Sequence, residues 1–159
     1  MKHLVLDIDE FLISSQAINE EVEGDLVSFI FENERIILRP FLEPFLKYCF
    51  TRFQISFSTR MTKDRCDFVL SKILKKEYIP KEVRTRENCY ETIPPYGSKE
   101  IRKNSFDEDV IWIDDSPEYI DINIEFKQSI IKAEIFDGDI IDCYLLELIQ
   151  ELQKIRKAS

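Results

Sequence analysis

Two pairs of aspartates give this chain its clearest means of doing chemistry. Asp7 and Asp9 follow the short apolar run LVL, and Asp114 and Asp115 follow the apolar run VIWI. Such runs predict buried strands, and the carboxyl ends of parallel strands are where open α/β sheets hold their ligands. Period-two spacing in a strand would also point Asp7 and Asp9 the same way. Because carboxylates this close repel one another unless a cation or shared proton compensates them, we expect a site for a hard, oxygen-preferring cation such as Mg²⁺.

A carboxylate beside a bound cation can attack phosphorus. The attack forms an aspartyl phosphate, while a second carboxylate protonates the leaving oxygen and then activates water. Hydroxyl groups and cations stabilise the charge on the transferred group, and Thr59 and Lys99 supply both kinds of donor. Arg60 and Arg86 either orient the phosphate or form surface ion pairs, and the sequence leaves both roles open. These residue types together predict a metal-assisted phosphomonoester hydrolase.

The elements that must position these groups alternate between strand and helix, which predicts a parallel sheet. The apolar spacing predicts strands over 4–6, 53–58, 83–86, 110–113 and 130–135, and helices opening at Arg39–Pro40, running from Thr62 to about Lys76, and starting near Ile141. The polar stretch 14–25 predicts a loop, and two β-rich runs within about 26–38 predict an inserted hairpin. That hairpin is either a lid over the acids or extra sheet without contact to substrate.

Length, composition and charge restrict the class of protein. A chain of 159 residues that is 44% hydrophobic predicts one globular domain over residues 1–159. No apolar run approaches membrane-spanning length and no signal peptide precedes the first strand, so we expect a cytoplasmic protein without membrane contact, monomeric by default. The net charge of −9 argues against a nucleic-acid partner. Four cysteines without a CxxC pair predict buried thiols rather than disulfides or metal ligands.

Six motifs follow one another over nearly the whole chain. They are DIDE from Asp7, RPFLEPFL from Arg39, ISFST ending at Thr59, RENC from Arg86, YGSKEI from Tyr96 and VIWIDDSP from Val110. Their content and order resemble phosphatases of the haloacid dehalogenase superfamily, and within it the small C-terminal-domain phosphatases, also called NLI-interacting-factor-like. The resemblance implies a Rossmann-like, three-layer α/β sandwich with a central parallel sheet and a small β-hairpin insertion after the first strand.

The resemblance also implies a role for each candidate side chain. It assigns Asp7 as the nucleophile and a metal ligand, and Asp9 as the general acid and base that lends its backbone carbonyl to Mg²⁺. Thr59 and Lys99 are the implied phosphate holders, and Asp115, supported by Asp114, is the implied side-chain metal ligand beside Asp7. The implied substrate is phosphoserine or phosphothreonine in a protein. Small phosphomonoesters and nucleic-acid 3′-phosphates stay open as alternatives, the latter disfavoured by the acidic charge.

Three positions depart from the pattern of this family. Phe11 stands where the family usually has threonine, which removes a hydroxyl beside the nucleophile and is expected to narrow the pocket. Phe41 stands where glycine usually follows Arg-Pro, and Asp115 replaces an asparagine common in the small phosphatases. A binding module that keeps the fold without turnover therefore stays open as an alternative. A receiver domain gathers similar groups, but its adjacent acid pair comes first in the chain, whereas here it comes late.

Overall fold

The computed structural model describes residues 1–88, 99–100, 110–121 and 129–157, with only the backbone described at 99–100 and 119–121. Two of the sequence predictions, the phosphate-holding side chain of Lys99 and the buried thiol of Cys89, lie outside the described residues. Within the described ranges, no helix has both the length and the apolar content needed to cross a bilayer.

The described part of the chain folds into ten strands and three α-helices, which alternate only between residues 34 and 84. They are β1 (His3–Leu6), β2 (Ile13–Ala17), β3 (Ser28–Phe31), β4 (Glu34–Leu38), α1 (Leu42–Arg52), β5 (Gln54–Ser58), α2 (Lys63–Ile73), β6 (Glu82–Arg84), β7 (Lys99–Glu100), β8 (Val110–Asp114), β9 (Ile120–Asp121), β10 (Ser129–Lys132) and α3 (Tyr144–Lys157). Single turns of 3₁₀ helix cover Arg86–Asn88 and Pro117–Tyr119.

A five-stranded parallel sheet in the order β10-β8-β1-β5-β6 forms the centre of the molecule. Strand β1 is its middle strand, and Leu4, Val5 and Leu6 are fully buried because both faces of the sheet are covered. Leu4 and Leu6 pack into a core that includes side chains of α1, α2 and α3, whereas Val5 packs with Trp112 on the opposite face. This α/β architecture, a central parallel sheet flanked by helices, confirms the predicted fold class.

The insertion after β1 is larger than the predicted hairpin. The hairpin itself is confirmed as β3 and β4, but β2 also pairs with β4, giving a three-stranded antiparallel sheet in the order β2-β4-β3. The prediction of a loop over 14–25 is therefore wrong at its start. The sequence ISSQA carries little apolar alternation, so its strand forms through backbone pairing with β4 rather than through intrinsic propensity.

Helix α1 begins two residues later than the sequence predicted. The residue before it, Phe41, has a left-handed backbone with φ 63°, so Pro40 lies outside the helix instead of in its first turn. Left-handed conformations cost a residue with a Cβ about 1–2 kcal/mol, and glycine avoids that cost. The family's glycine at this position thus has a conformational reason, and here Phe41 bears the strain.

Several predicted element boundaries and one cysteine assignment also need correction. Strand β6 ends at Arg84 instead of Arg86, and β10 ends at Lys132 instead of Ile135. Helix α2 ends at Ile73, and α3 begins at Tyr144, whose N–H is capped by the carboxylate of Asp142 at 3.1 Å. Cys49 and Cys66 are buried as predicted, but Cys143 is exposed, in the irregular segment directly before α3.

A buried arginine connects the insertion to the C-terminal part of the chain. Arg39 is 1% exposed, and its Nε and Nη2 donate to the two carboxylate oxygens of Asp142 at 2.9 and 2.7 Å. Its Nη1 donates to the carbonyls of Phe11 at 3.0 Å and Glu134 at 2.8 Å. These bonds fasten the loop that follows β1, where the first two acids lie, to the segment between β10 and α3.

We expect Arg39→Met to lower the free energy of unfolding by about 3 kcal/mol, because it leaves the mostly buried Asp142 carboxylate without its cation. Urea denaturation measures the change. Lys47→Met, at an exposed position of α1, is the matched control and is expected to change stability by less than about 0.5 kcal/mol. Equal effects of the two substitutions would contradict a stabilising role for the buried pair.

Candidate active site

The register of the central sheet brings three polar chain segments to one edge. Leu6, the last residue of β1, pairs with Phe57 of β5 on one side and with Ile113 of β8 on the other. The residues that follow each strand therefore emerge side by side at the carboxyl edge. Asp7 is fixed there by its N–H, which donates to the carbonyl of Ile113 at 2.9 Å.

A small cavity of about 110 Å³ lies at this edge. Its walls include every acid that the sequence predicted and several further polar residues: Asp7, Asp9, Glu10, Thr59, Arg60, Asp114, Asp115 and Ser116. Pockets that enclose a whole small-molecule ligand usually measure about 300–1,000 Å³. This cavity can therefore hold a reacting group and an ion, while the rest of a substrate lies outside it.

Three of these acids form a tight, buried cluster. Asp7, Asp114 and Asp115 are 5%, 1% and 5% exposed, and one carboxylate oxygen of each lies within 4.8 Å of the others. Ser116 orients two of them, because its N–H donates to Asp114 Oδ1 at 2.9 Å and its hydroxyl to Asp115 Oδ2 at 2.8 Å. Buried carboxylates this close require compensation, and three hard oxygen donors fit Mg²⁺. The cluster could therefore hold the metal ion that the sequence predicted.

Asp9 lies at the cavity but outside this cluster. Strand β1 ends at Leu6, so the prediction that strand spacing aligns Asp7 and Asp9 is wrong in its reason, although both residues line the cavity. The side chain of Asp9 is 41% exposed, and its Oδ1 lies 3.8 Å from Arg65 Nη2. Asp9 is therefore accessible to solvent in a way that the buried acids are not.

Helix α2 supplies a basic neighbour that sequence reasoning missed. Burial is the main cause that raises the pKa of the Cys66 thiol on α2, to about 12, and the negative charges of Asp67 and Asp9 add to the effect. The contact with Arg65 places Asp9 against the first turns of α2. No local pattern pairs Arg65 with a residue near the start of the chain, so only the folded structure shows this contact.

Thr59 and Arg60 form the wall of the cavity contributed by the end of β5. Thr59 is fully buried, its N–H donates to the carbonyl of Arg84 at 3.0 Å, and its Oγ1 accepts from the N–H of Met61 at 3.2 Å. Arg86 Nε donates to the carbonyl of Arg60 at 2.9 Å, so it supports the backbone next to the cavity. Of the two arginines left open by the sequence, Arg60 is the one in the cavity wall.

The backbone of Lys99 belongs to a short strand near the second acid pair. Strand β7 runs parallel to β9, with Lys99 opposite Ile120. Strand β9 follows the acidic end of β8 after one turn of 3₁₀ helix. The phosphate-holding role of Lys99 stays a prediction, because its side chain lies outside the described residues.

Phe11 does not enter the cavity. Its side chain is fully buried, and its ring meets Phe45 of α1 edge to face with centroids 6.0 Å apart. The expectation that Phe11 narrows the pocket is therefore wrong. At this position, where the family usually has threonine, the ring of Phe11 extends the hydrophobic core beneath the loop after β1.

Comparison with known proteins identifies the family of this sequence. A sequence model described as NLI interacting factor-like phosphatase matches residues 2–159. A comparison with curated protein sequences finds no match.

Two solved structures have a similar fold. One is Fcp1, described as an essential RNA polymerase II CTD phosphatase, with a TM-score of 0.65, 19% identity and coverage of 99% of this chain and 48% of the other. The second is fission yeast Fcp1 bound to beryllium fluoride, with a TM-score of 0.59, 18% identity, and 97% and 50% coverage. The chain thus spans about half the length of these solved chains, and at this identity the likeness shows the fold alone.

The family match covers nearly the whole chain, and the fold and the buried acids at the sheet edge agree with it. The chain belongs to the NLI interacting factor-like phosphatase family.

Proposed function

We propose that this chain hydrolyses phosphomonoesters with Mg²⁺ and through an aspartyl phosphate formed on Asp7. The observation that carries the proposal is the buried cluster of Asp7, Asp114 and Asp115 at the cavity, with Asp9 and Thr59 in its walls. Three carboxylates buried together weaken the fold unless a cation compensates them, so the cluster is better explained by binding than by stability.

In the proposed mechanism, Asp7 is the nucleophile. Its carboxylate attacks phosphorus, the bond between phosphorus and the leaving oxygen breaks, and Asp9 gives its proton to that oxygen. A water molecule then attacks the phosphorus of the aspartyl phosphate, and Asp9 takes the proton of that water. Inorganic phosphate leaves, and Asp7 regains its carboxylate. Thr59 and Lys99, in the roles that the family resemblance implies, and Arg60 in the cavity wall donate hydrogen bonds to the phosphoryl oxygens that do not react.

The side chains of Asp7, Asp114 and Asp115 would hold the metal ion, together with the predicted backbone carbonyl of Asp9. A bound Mg²⁺ supplies positive charge that offsets the repulsion between the attacking carboxylate and the anionic phosphoryl group. The burial of the cluster would strengthen the attraction between the metal ion and these anionic groups, because electrostatic interactions are stronger away from water.

A phosphoserine or phosphothreonine side chain in a protein is the substrate we propose. The family and the phosphatase activity stated for Fcp1 support this class, and the small cavity admits the phosphoryl end alone. Small phosphomonoesters are the alternative substrates, and the net charge of −9 disfavours nucleic-acid ends. The cytoplasmic location and the monomeric state stay predictions from the sequence.

No described contact favours an inactive binding module. That alternative was left open because Phe11 departs from the family pattern, and the Phe11 side chain packs into the core instead of filling the cavity. All four aspartates are present in the cavity walls.

The function is tested by hydrolysis of p-nitrophenyl phosphate in Mg²⁺, with excess EDTA as the negative control. We expect turnover in Mg²⁺ and none in EDTA. Rates on phosphoserine, phosphothreonine and phosphotyrosine peptides, sugar phosphates and 3′-nucleotides then rank the substrate classes. Failure to hydrolyse any of them in Mg²⁺ or Mn²⁺ would contradict the proposed function.

We expect Asp7→Asn to lower kcat by at least about 10³-fold, because an amide of the same shape lacks the nucleophilic anion. The melting temperature shows whether the fold is retained. Asp64→Asn, at an exposed position in the first turn of α2, is the matched control and should keep full activity. An Asp7→Asn variant with full activity would exclude the mechanism.

Metal binding has a readout that does not depend on turnover. Mg²⁺ at 100 times its dissociation constant should stabilise the wild-type protein by about 2.7 kcal/mol, which thermal unfolding detects. We expect Asp115→Ala, which removes the side-chain oxygens, to need a higher Mg²⁺ concentration for the same stabilisation, whereas Asp64→Ala should not. If Asp115→Ala leaves the response unchanged and Asp114→Ala abolishes it, the direct ligand is Asp114. An unchanged response in both variants would contradict the site.

A further inference from the structure

Arg65 joins the insertion sheet to the open side of the candidate site. Its guanidinium contacts the carboxylate of Glu34 at the start of β4 and the hydroxyl of Ser15 on β2, the latter at 2.5 Å. The same guanidinium lies 3.8 Å from Oδ1 of Asp9. Although Arg65 is on the surface of α2, its side chain is only 18% exposed, so these three partners enclose it.

A separate set of contacts holds the insertion against α2. Phe29 and Phe31 of β3 pack on Phe68 of α2, with ring centroids 5.6 and 4.9 Å apart. The position of Arg65 is therefore set from two sides, by the apolar packing of its own helix and by polar groups of the insertion. Its guanidinium has little freedom to leave Asp9.

We infer that Arg65 is a positioning residue, through which the insertion sheet orients Asp9 for proton transfer to the leaving group. This inference rests on the proposed function. Asp9 lies beyond the end of β1 and its side chain is 41% exposed, so its carboxylate extends from the loop after the strand and not from the buried strand itself. The insertion sheet then contributes to catalysis by orienting Asp9 and not by covering the cavity.

Magnitudes separate this role from a structural one. A partly exposed ion pair contributes only about 0–1 kcal/mol to stability. A misplacement of about 1 Å at a reacting group can lower a rate by about 10²-fold. We therefore expect substitution of Arg65 to affect the chemistry much more than the fold.

The test compares two aryl phosphates of similar size that differ in their leaving groups. p-Nitrophenolate leaves readily without a proton, whereas phenolate needs one, so only phenyl phosphate depends strongly on the general acid. We expect Arg65→Met to lower kcat/KM for phenyl phosphate by about 10-fold or more and for p-nitrophenyl phosphate by about 2-fold or less. Glu34→Gln, which weakens the support of Arg65, should show the same pattern with a smaller amplitude.

The matched control is Lys63→Met, which also removes one positive charge from the first turns of α2. Lys63 is largely exposed and pairs with Asp67, so its loss should change neither substrate's kcat/KM. If Lys63→Met reproduces the leaving-group pattern, the effect is one of net charge and the inference is overturned.

A double-mutant cycle separates orientation of Asp9 from direct contact with substrate. In an Asp9→Asn background, Arg65→Met should produce no further loss on phenyl phosphate. A further loss there would mean that Arg65 binds substrate itself, and equal losses on both substrates in the single variant would mean a structural role. Either result overturns this inference while leaving the proposed function in place, whereas a wild-type protein without turnover overturns the proposed function.

Discussion

Electrostatic repulsion among three buried carboxylates is the constraint on which this structure depends. Asp7, Asp114 and Asp115 meet because β1 lies between two parallel neighbours, and the pairing register places the ends of β1 and β8 side by side. A fold selected for stability alone would not bury such a group, since removing charges from water is costly. The apolar core around β1 offsets the cost of burying these carboxylates, and the resulting compact acidic cluster could hold a cation.

Two arginines hold the parts of the chain that the central sheet does not. Arg39 is buried and fastens the loop after β1 to the segment preceding α3, while Arg65 lies between the insertion and Asp9. Arg39 determines the path of the loop after β1, and Arg65 contacts the side chain of Asp9 at the opening of the cavity. The two ion pairs therefore contribute differently to stability. Removing one partner of a buried pair strongly destabilises the protein, whereas removing one partner of a partly exposed pair does not.

The sequence was informative where the signal was local. Apolar runs followed by acids predicted β1 and β8, and the alternation of elements predicted their parallel arrangement, from which the meeting of the acids follows. It was uninformative where structure depends on distant partners. Strand β2 forms by pairing with β4, and Arg39 and Asp142 are 103 residues apart. Phe11 was misjudged for the same reason, since whether it faces the cavity or Phe45 depends on tertiary packing.

The central claim is that Asp7 accepts a phosphoryl group. Its most direct test is to react the protein with p-nitrophenyl phosphate in Mg²⁺, quench in acid, reduce with borohydride and locate the modified residue by mass spectrometry. Reduction converts an aspartyl phosphate to homoserine, and the account predicts this change at Asp7. Homoserine at another aspartate, in a protein that turns over, would contradict the account.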